Sequence, residues 1–156
     1  VCSRFNVGAS GTVPPNITAF CLGVSSSPDQ SSYQVNLYGG WDLGATIAYE
    51  DVYVLSVPSF QWIKINDVQN NTEAQLAPVI GRKNHRCAMW KDSQMIVVGG
   101  FVNEKSVQVN NETTSCGTYP PLRVLDVSTF TFMGQFDPNS PPYTVPSQIY
   151  QVIGGR

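Results

Sequence analysis

Charge is scarce in this sequence. Of 156 residues, 9 are Lys or Arg and 11 are Asp or Glu, a 13% share where globular domains average about 25%. With a net charge of −2 and no run of Lys or Arg, the chain lacks what nucleic acid or an anionic membrane surface would bind. No stretch approaches the roughly 18 consecutive apolar residues of a membrane helix. Val1-Cys2-Ser3-Arg4 does not have the form of a signal peptide, so any such segment is expected to have been removed or never to have belonged to this piece. Helical periodicity is also missing: no convincing 3.6-residue pattern runs longer than about ten residues. Disorder is excluded by what is present, because 42% of residues are hydrophobic and 11% aromatic.

Catalytic chemistry is poorly supplied. His85 is the only histidine, so a Ser-His-Asp triad would have to use it. Its place at a strand entry points instead to hydrogen bonding within a sheet. No Gly-x-Ser-x-Gly elbow occurs. One histidine and no tight group of carboxylates leave a metal without an evident ligand set, and no cofactor is expected. Glu50-Asp51 is the one adjacent acidic pair, and its position opening a strand favours a turn role over glycosidase chemistry. Among the aromatics Trp41, Tyr49, Tyr53 and Trp62, packing is the better role for Tyr53 and Trp62. Trp41, in the loop 39–49, is the candidate ligand contact, as a stacking platform for carbohydrate.

Four cysteines, Cys2, Cys21, Cys87 and Cys116, include no Cys-x-x-Cys, which removes zinc-ribbon and thioredoxin chemistry. They are expected to form disulfides, although four buried free thiols in a cytosolic chain is the alternative. Of the three possible pairings, spacing favours Cys2–Cys21 and Cys87–Cys116, which close loops of about 20 and 30 residues. Three sequons, at Asn16, Asn70 and Asn111, lie in polar, turn-rich stretches. The expectation is a secreted or extracellular glycoprotein, at the cell surface if a parent chain carries an anchor.

Short runs of Val, Ile, Leu and Tyr, bounded by Gly, Pro, Asn or Ser, predict an all-β chain. One set of four strands covers Ala19–Val24, Tyr33–Tyr38, Asp51–Val57 and Phe60–Ile65. A second covers Arg86–Trp90, Gln94–Val98, Leu122–Val127 and Phe130–Gln135. The sets are alike. Asn36–Gly40 corresponds to Ile96–Gly100, and Val52–Trp62 aligns without gaps on Leu122–Phe132. From Gly-Gly to the closing aromatic there are 22 residues in the first copy and 32 in the second, the excess lying in the loop 101–119. Cys21 and Cys87 take similar positions in the first strands. Glycine after the strand allows positive φ and close approach of a neighbour, and the aromatic on the fourth strand would fill space between adjacent sheets. Ile149–Ile153 followed by Gly154-Gly155 gives a third apolar run ending in Gly-Gly.

This pattern resembles the kelch repeat. Gly39, Gly40, Tyr53 and Trp62 carry the resemblance in the first copy, and Gly99, Gly100 and Phe132 in the second. The second copy departs from the pattern, with Arg123 for the aromatic Tyr53 and Phe132 for Trp. Arg82-Lys83-Asn84-His85 resembles the Arg-x-x-His entry before a kelch first strand. Tyr143–Pro146 leading to Val152–Gly155 is similar to the end of the kelch region in secreted or surface-anchored fungal proteins. The resemblance implies an all-β fold of four-stranded antiparallel propeller blades, with residues 15–66 the first blade and 82–136 the second. Residues 137–156 would be a linker or the start of the next element, and 1–156 part of one domain. Two blades cannot close a ring, so the remaining blades are expected on other chains or on a longer parent chain. Copper-radical oxidases built on kelch propellers need histidine and tyrosine ligands together, and one histidine is too few on this chain. The expected function is a non-catalytic binding or structural module for a protein or glycan. The alternative is part of an extracellular oxidase or carbohydrate-active propeller whose catalytic residues lie on the missing blades.

Overall fold

A computed structural model of the chain describes residues 8–42, 48–66, 68–70, 81–102 and 120–154. Its strands are β1 Ser10–Gly11, β2 Cys21–Ser26, β3 Tyr33–Tyr38, β4 Val52–Val57, β5 Gln61–Ile65, β6 Gln69–Asn70, β7 Arg82–Lys83, β8 Arg86–Trp90, β9 Gln94–Val98, β10 Phe101–Val102, β11 Leu122–Asp126 and β12 Thr131–Met133, followed by a helix, α1, over Ser147–Ile153. β2 to β5 form one antiparallel meander and β8, β9, β11 and β12 another. These are the eight strands expected from the sequence, with ends shifted by a few residues or less.

The two sheets share a register. Tyr38 pairs with Val52 and Leu55 with Trp62 in the first. Val98 pairs with Leu122 and Leu125 with Phe132 at the same positions of the second. Each sheet also gains a two-residue edge strand that the sequence did not announce. β1 runs parallel to β5, with Gly11 beside Trp62, and β6 runs parallel to β12, with Asn70 beside Phe132. Short polar segments such as Ser10–Gly11 carry no hydrophobic alternation, so only their pairing defines them.

The core lies between the two sheets. Tyr38, Val52, Val54, Ile63 and Ile65 of the first pack with Met95, Val97, Leu125, Phe130 and Phe132 of the second. Strand alternation puts this set on one face of each sheet. Gly23 of β2 makes the approach possible: a Cβ there would meet the Met89 side chain, with Cγ at 2.9 Å, and Met95 Sδ at 3.2 Å.

The third Gly-Gly does not follow a strand. Its apolar run is α1, begun after the extended Pro146 and closed by Gly154, whose φ is 72° and whose N–H donates to the Tyr150 carbonyl. Proline before the first turn and glycine after the last are the stop signals of a short helix. Ile149 is wholly buried, and Tyr150 and Ile153 pack against the core. A seven-residue helix with one buried residue is too short for periodicity to reveal it.

Candidate functional site

The two blades are joined by a polar cluster at their inner strands. Cys21 on β2 and Cys87 on β8 form a disulfide, with Cα atoms 5.6 Å apart at a sequence separation of 66. The pairing favoured by spacing is therefore corrected: Cys21 takes Cys87 as partner rather than Cys2, and Cys87 takes Cys21 rather than Cys116. Cys2 and Cys116 lie outside the described residues. The physical reason is register. Cys21 stands opposite Tyr38, the residue before Gly39-Gly40, whereas Cys87 stands opposite Val97, one short of the equivalent Val98. A one-residue offset on a strand reverses the side chain's face. Cys21 therefore points forward from the first blade and Cys87 back from the second, and they meet.

His85 lies beside them, fully buried. Its Nε2 lies 3.0 Å from the Tyr38 carbonyl oxygen, and the two rings meet edge to face at 5.2 Å. The carbonyl can only accept, so Nε2 carries the proton and Nδ1 the lone pair. The bond expected within a blade thus crosses between blades. Asn84, at φ 58°, turns the entry segment, and its N–H donates to the Ala19 carbonyl of the first blade. Burial, with Arg82 and Arg86 nearby, lowers the His85 pKa from 6.5 to about 4. A neutral imidazole tied to a backbone carbonyl is placed as a clamp, and that bond does not link it to a nucleophile.

Two buried guanidinium groups complete the cluster. Arg82 donates to the Gly99 carbonyl at 2.5 Å and to the Pro120 carbonyl at 3.2 Å, holding the ends of β9 and β11 together. Arg123 lies 4.4 Å above the Phe132 ring, so it occupies the aromatic's place in the repeat by covering an aromatic. Burial lowers the Arg123 pKa and raises that of Tyr38.

The remaining sequence candidates are placed as follows. Gly39 and Gly99 have φ of 66° and 67°, and Gly40 and Gly100 have 109° and 88°. Tyr53 is buried, Trp62 is half-buried, and Phe132 is fully buried 5.5 Å from Tyr38. Trp41 is half-buried and exchanges backbone hydrogen bonds with Thr18 at 2.7 and 2.8 Å. Lys83 Nζ of the second blade sits 4.2 Å from the Trp41 ring centroid, so a cation from the adjacent blade lies against the candidate platform. Asn16 is exposed, Asn70 lies on β6, and Asn111 is outside the described residues.

The sequence did not signal a hydroxyl-lined groove of about 650 Å³ at the hairpin end of the first blade, between Ser27–Ser32, Ser56–Ser59 and the end of α1. There Asp29 accepts from the Ser27 and Ser31 hydroxyls, each at 2.7 Å, which lowers its pKa to about 2. A run of Ser around one Asp looks like any polar turn until the helix folds over it.

No family model matches the chain. A "Kelch repeat-containing protein" of Arthroderma benhamiae is 34% identical to it over 135 residues, 85% of this chain, and the match spans 18% of that relative's length. With the internal repeat in register across two four-stranded antiparallel blades, this likeness makes the chain a member of the kelch-repeat proteins, two blades of a propeller whose ring is incomplete.

Proposed function

We propose that the chain is a section of a larger, secreted kelch-type propeller that serves as a non-catalytic binding or structural module for a protein or glycan. One observation carries the incompleteness. Val98 and Leu122 occupy the register positions of Tyr38 and Val52. The latter pair is 0% exposed against the neighbouring blade, and the former is 47% and 50% exposed. On the first blade, Leu22 and Val24 are 47% and 48% exposed, while their equivalents Cys87 and Met89 are partly buried against the core. Both outer sheet faces thus carry the apolar residues of an inter-blade contact. Further blades are the occupant that fits them, and the much greater length of the Arthroderma benhamiae relative leaves room for such blades.

Secretion is supported by the disulfide joining the blades and by the exposed sequon at Asn16. Trp41, at the rim between the blades, is the residue proposed to touch a ligand.

The test is assembly. The chain alone is expected to self-associate, and to be captured by the rest of its parent propeller when the two are co-expressed. Leu22→Lys and Leu122→Lys should abolish both. A monodisperse 17.1 kDa monomer, unchanged by those substitutions and ignored by the remaining blades, would overturn the reading. For the binding role, a glycan or protein array should give a signal that weakens with Trp41→Ala. Copper in the purified material with oxidase activity on sugars or alcohols would replace the non-catalytic reading.

A further inference from the structure

Cys21, Cys87 and His85 bring two sulfurs and one imidazole nitrogen within 4.8 Å of one another. They come from two blades. Cys21 belongs to the first, while His85 and Cys87 are two residues apart on the second, a spacing that puts both side chains on one face of extended chain. The histidine is set up as metal-bound histidines are. One ring nitrogen, Nε2, is spent on a backbone carbonyl, which fixes tautomer and ring orientation. The other, Nδ1, is buried and has no hydrogen-bond partner among the described residues. Burying such an acceptor without a partner is unfavourable, and the clamp to Tyr38 at Nε2 does nothing to satisfy Nδ1.

We infer that Cys21, Cys87 and His85 form a redox-gated site for a thiophilic d10 cation, zinc being the representative, closed while the disulfide stands and opened by a dithiol or phosphine reductant. The balance is simple. A dithiol gives two electrons and two protons and is oxidised to its disulfide. A phosphine gives two electrons and becomes its oxide, with water supplying the oxygen and both protons. Either way the S–S bond is cleaved to two thiols. Zinc then binds both sulfurs as thiolates and Nδ1 through its lone pair, releasing the two thiol protons to solvent. Zinc–sulfur bonds of about 2.3 Å and zinc–nitrogen bonds of about 2.0 Å require donors roughly 3.5–3.8 Å apart in a tetrahedral arrangement, so the two sulfurs, bonded to each other while the disulfide stands, must separate to that distance once reduced. Three protein donors leave the fourth position open to water. The cation would replace the covalent link, so the two blades stay tied in either redox state.

The experiment uses the full 156-residue chain carrying Cys2→Ser and Cys116→Ser, so that only one cysteine pair remains. Zinc alone is titrated against a chromophoric chelator, before and after reduction with a phosphine. The expected result is one zinc per reduced chain and none per oxidised chain. His85→Gln should weaken binding at least tenfold, as loss of a ligand must cost no less than loss of its supporting partner. Because His85→Gln also removes the Tyr38 clamp, cobalt is substituted for zinc in the chain with His85 intact. Thiolate-to-cobalt charge-transfer absorption, lost in Cys87→Ser, reports ligation independently of folding. Equal zinc uptake by oxidised and reduced chain, or a cobalt spectrum without thiolate bands, would overturn the site. Neither result bears on whether further blades cover the outer faces.

Discussion

Phe60 and Phe130 stand at the same turn of the two blades, each with φ of 53°, yet Phe130 is fully buried and Phe60 is 38% exposed. The two Phe positions align and share left-handed backbone, although the first turn holds a cis Val57–Pro58 peptide where the second has Val127-Ser128. Phe130 packs into the inter-blade core, whereas among the described residues no blade lies against the matching face of the first blade. Truncating a buried Phe typically costs about 3–5 kcal/mol. Phe130→Ala should therefore cost about 3–5 kcal/mol in urea unfolding, and Phe60→Ala less than about 1.5 kcal/mol. If further blades cover that face, as proposed, the two costs should converge in the assembly.

The glycines repeat that contrast. A Cβ on Gly39 would lie 2.5 Å from the Arg82 carbonyl oxygen and 2.9 Å from His85 Cε1, while a Cβ on Gly99 meets nothing within 4 Å among the described residues. Both positions hold left-handed backbone, which costs a non-glycine residue roughly 1–2 kcal/mol. Gly99→Ala should show about that penalty in chemical denaturation. Gly39→Ala adds a collision with backbone and should cost about 1–3 kcal/mol more. Equal losses for the two variants would mean that the second blade does not seat on Gly39.

Much of this arrangement was legible in the residues. Tyr33–Tyr38, Arg86–Trp90 and Gln94–Val98 read as strands with the ends they have, because each is a short alternating or apolar run that stops at a turn residue. Aligning Val52–Trp62 on Leu122–Phe132 without gaps was enough to expose the repeat. The cysteine pairing was hidden for a specific reason. Spacing weighs loop closure, but the partner of Cys21 was chosen by a one-residue register offset, visible only once Cys87 is set opposite Val97. The clamp from His85 to Tyr38 was equally hidden, since 47 residues separate the two and neither carries a local sign of the other. Two-residue edge strands and a seven-residue helix fall below the length at which pattern speaks.

The disulfide should matter more than either local loop would have. A 66-residue separation gives about 4 kcal/mol in the loop-entropy treatment, against about 3 kcal/mol for loops of 20 to 30 residues. Peptide mapping without reduction should recover Cys21 linked to Cys87. Cys21→Ser should destabilise the metal-free chain by about 4 kcal/mol, with no further loss on adding reductant if this bond dominates the redox response. A Cys2–Cys21 peptide in the map would reject the pairing.

Acid should loosen the blade junction before it protonates the bulk of the carboxylates. The His85 pKa is about 4 in the folded, disulfide-bonded chain, against 6.5 for the free side chain. The groups around the ring are the Arg82 and Arg86 guanidinium groups, which oppose a further charge, and Tyr38, whose carbonyl holds Nε2. Burial is the larger cause. Because the folded state resists protonation, the unfolded chain binds more protons between the two values. The stability this group contributes is complete above about pH 6.5 and is lost as pH falls through 4. No other histidine exists in the chain, so the decline between pH 6.5 and about 5 belongs to this residue. Urea midpoints measured across that window should fall with acid in the parent chain and stay level in His85→Gln, which starts lower because its clamp is gone. A parent chain whose midpoint is flat over the same range would show that His85 is already free to charge in the folded state, and hence not sealed between the blades.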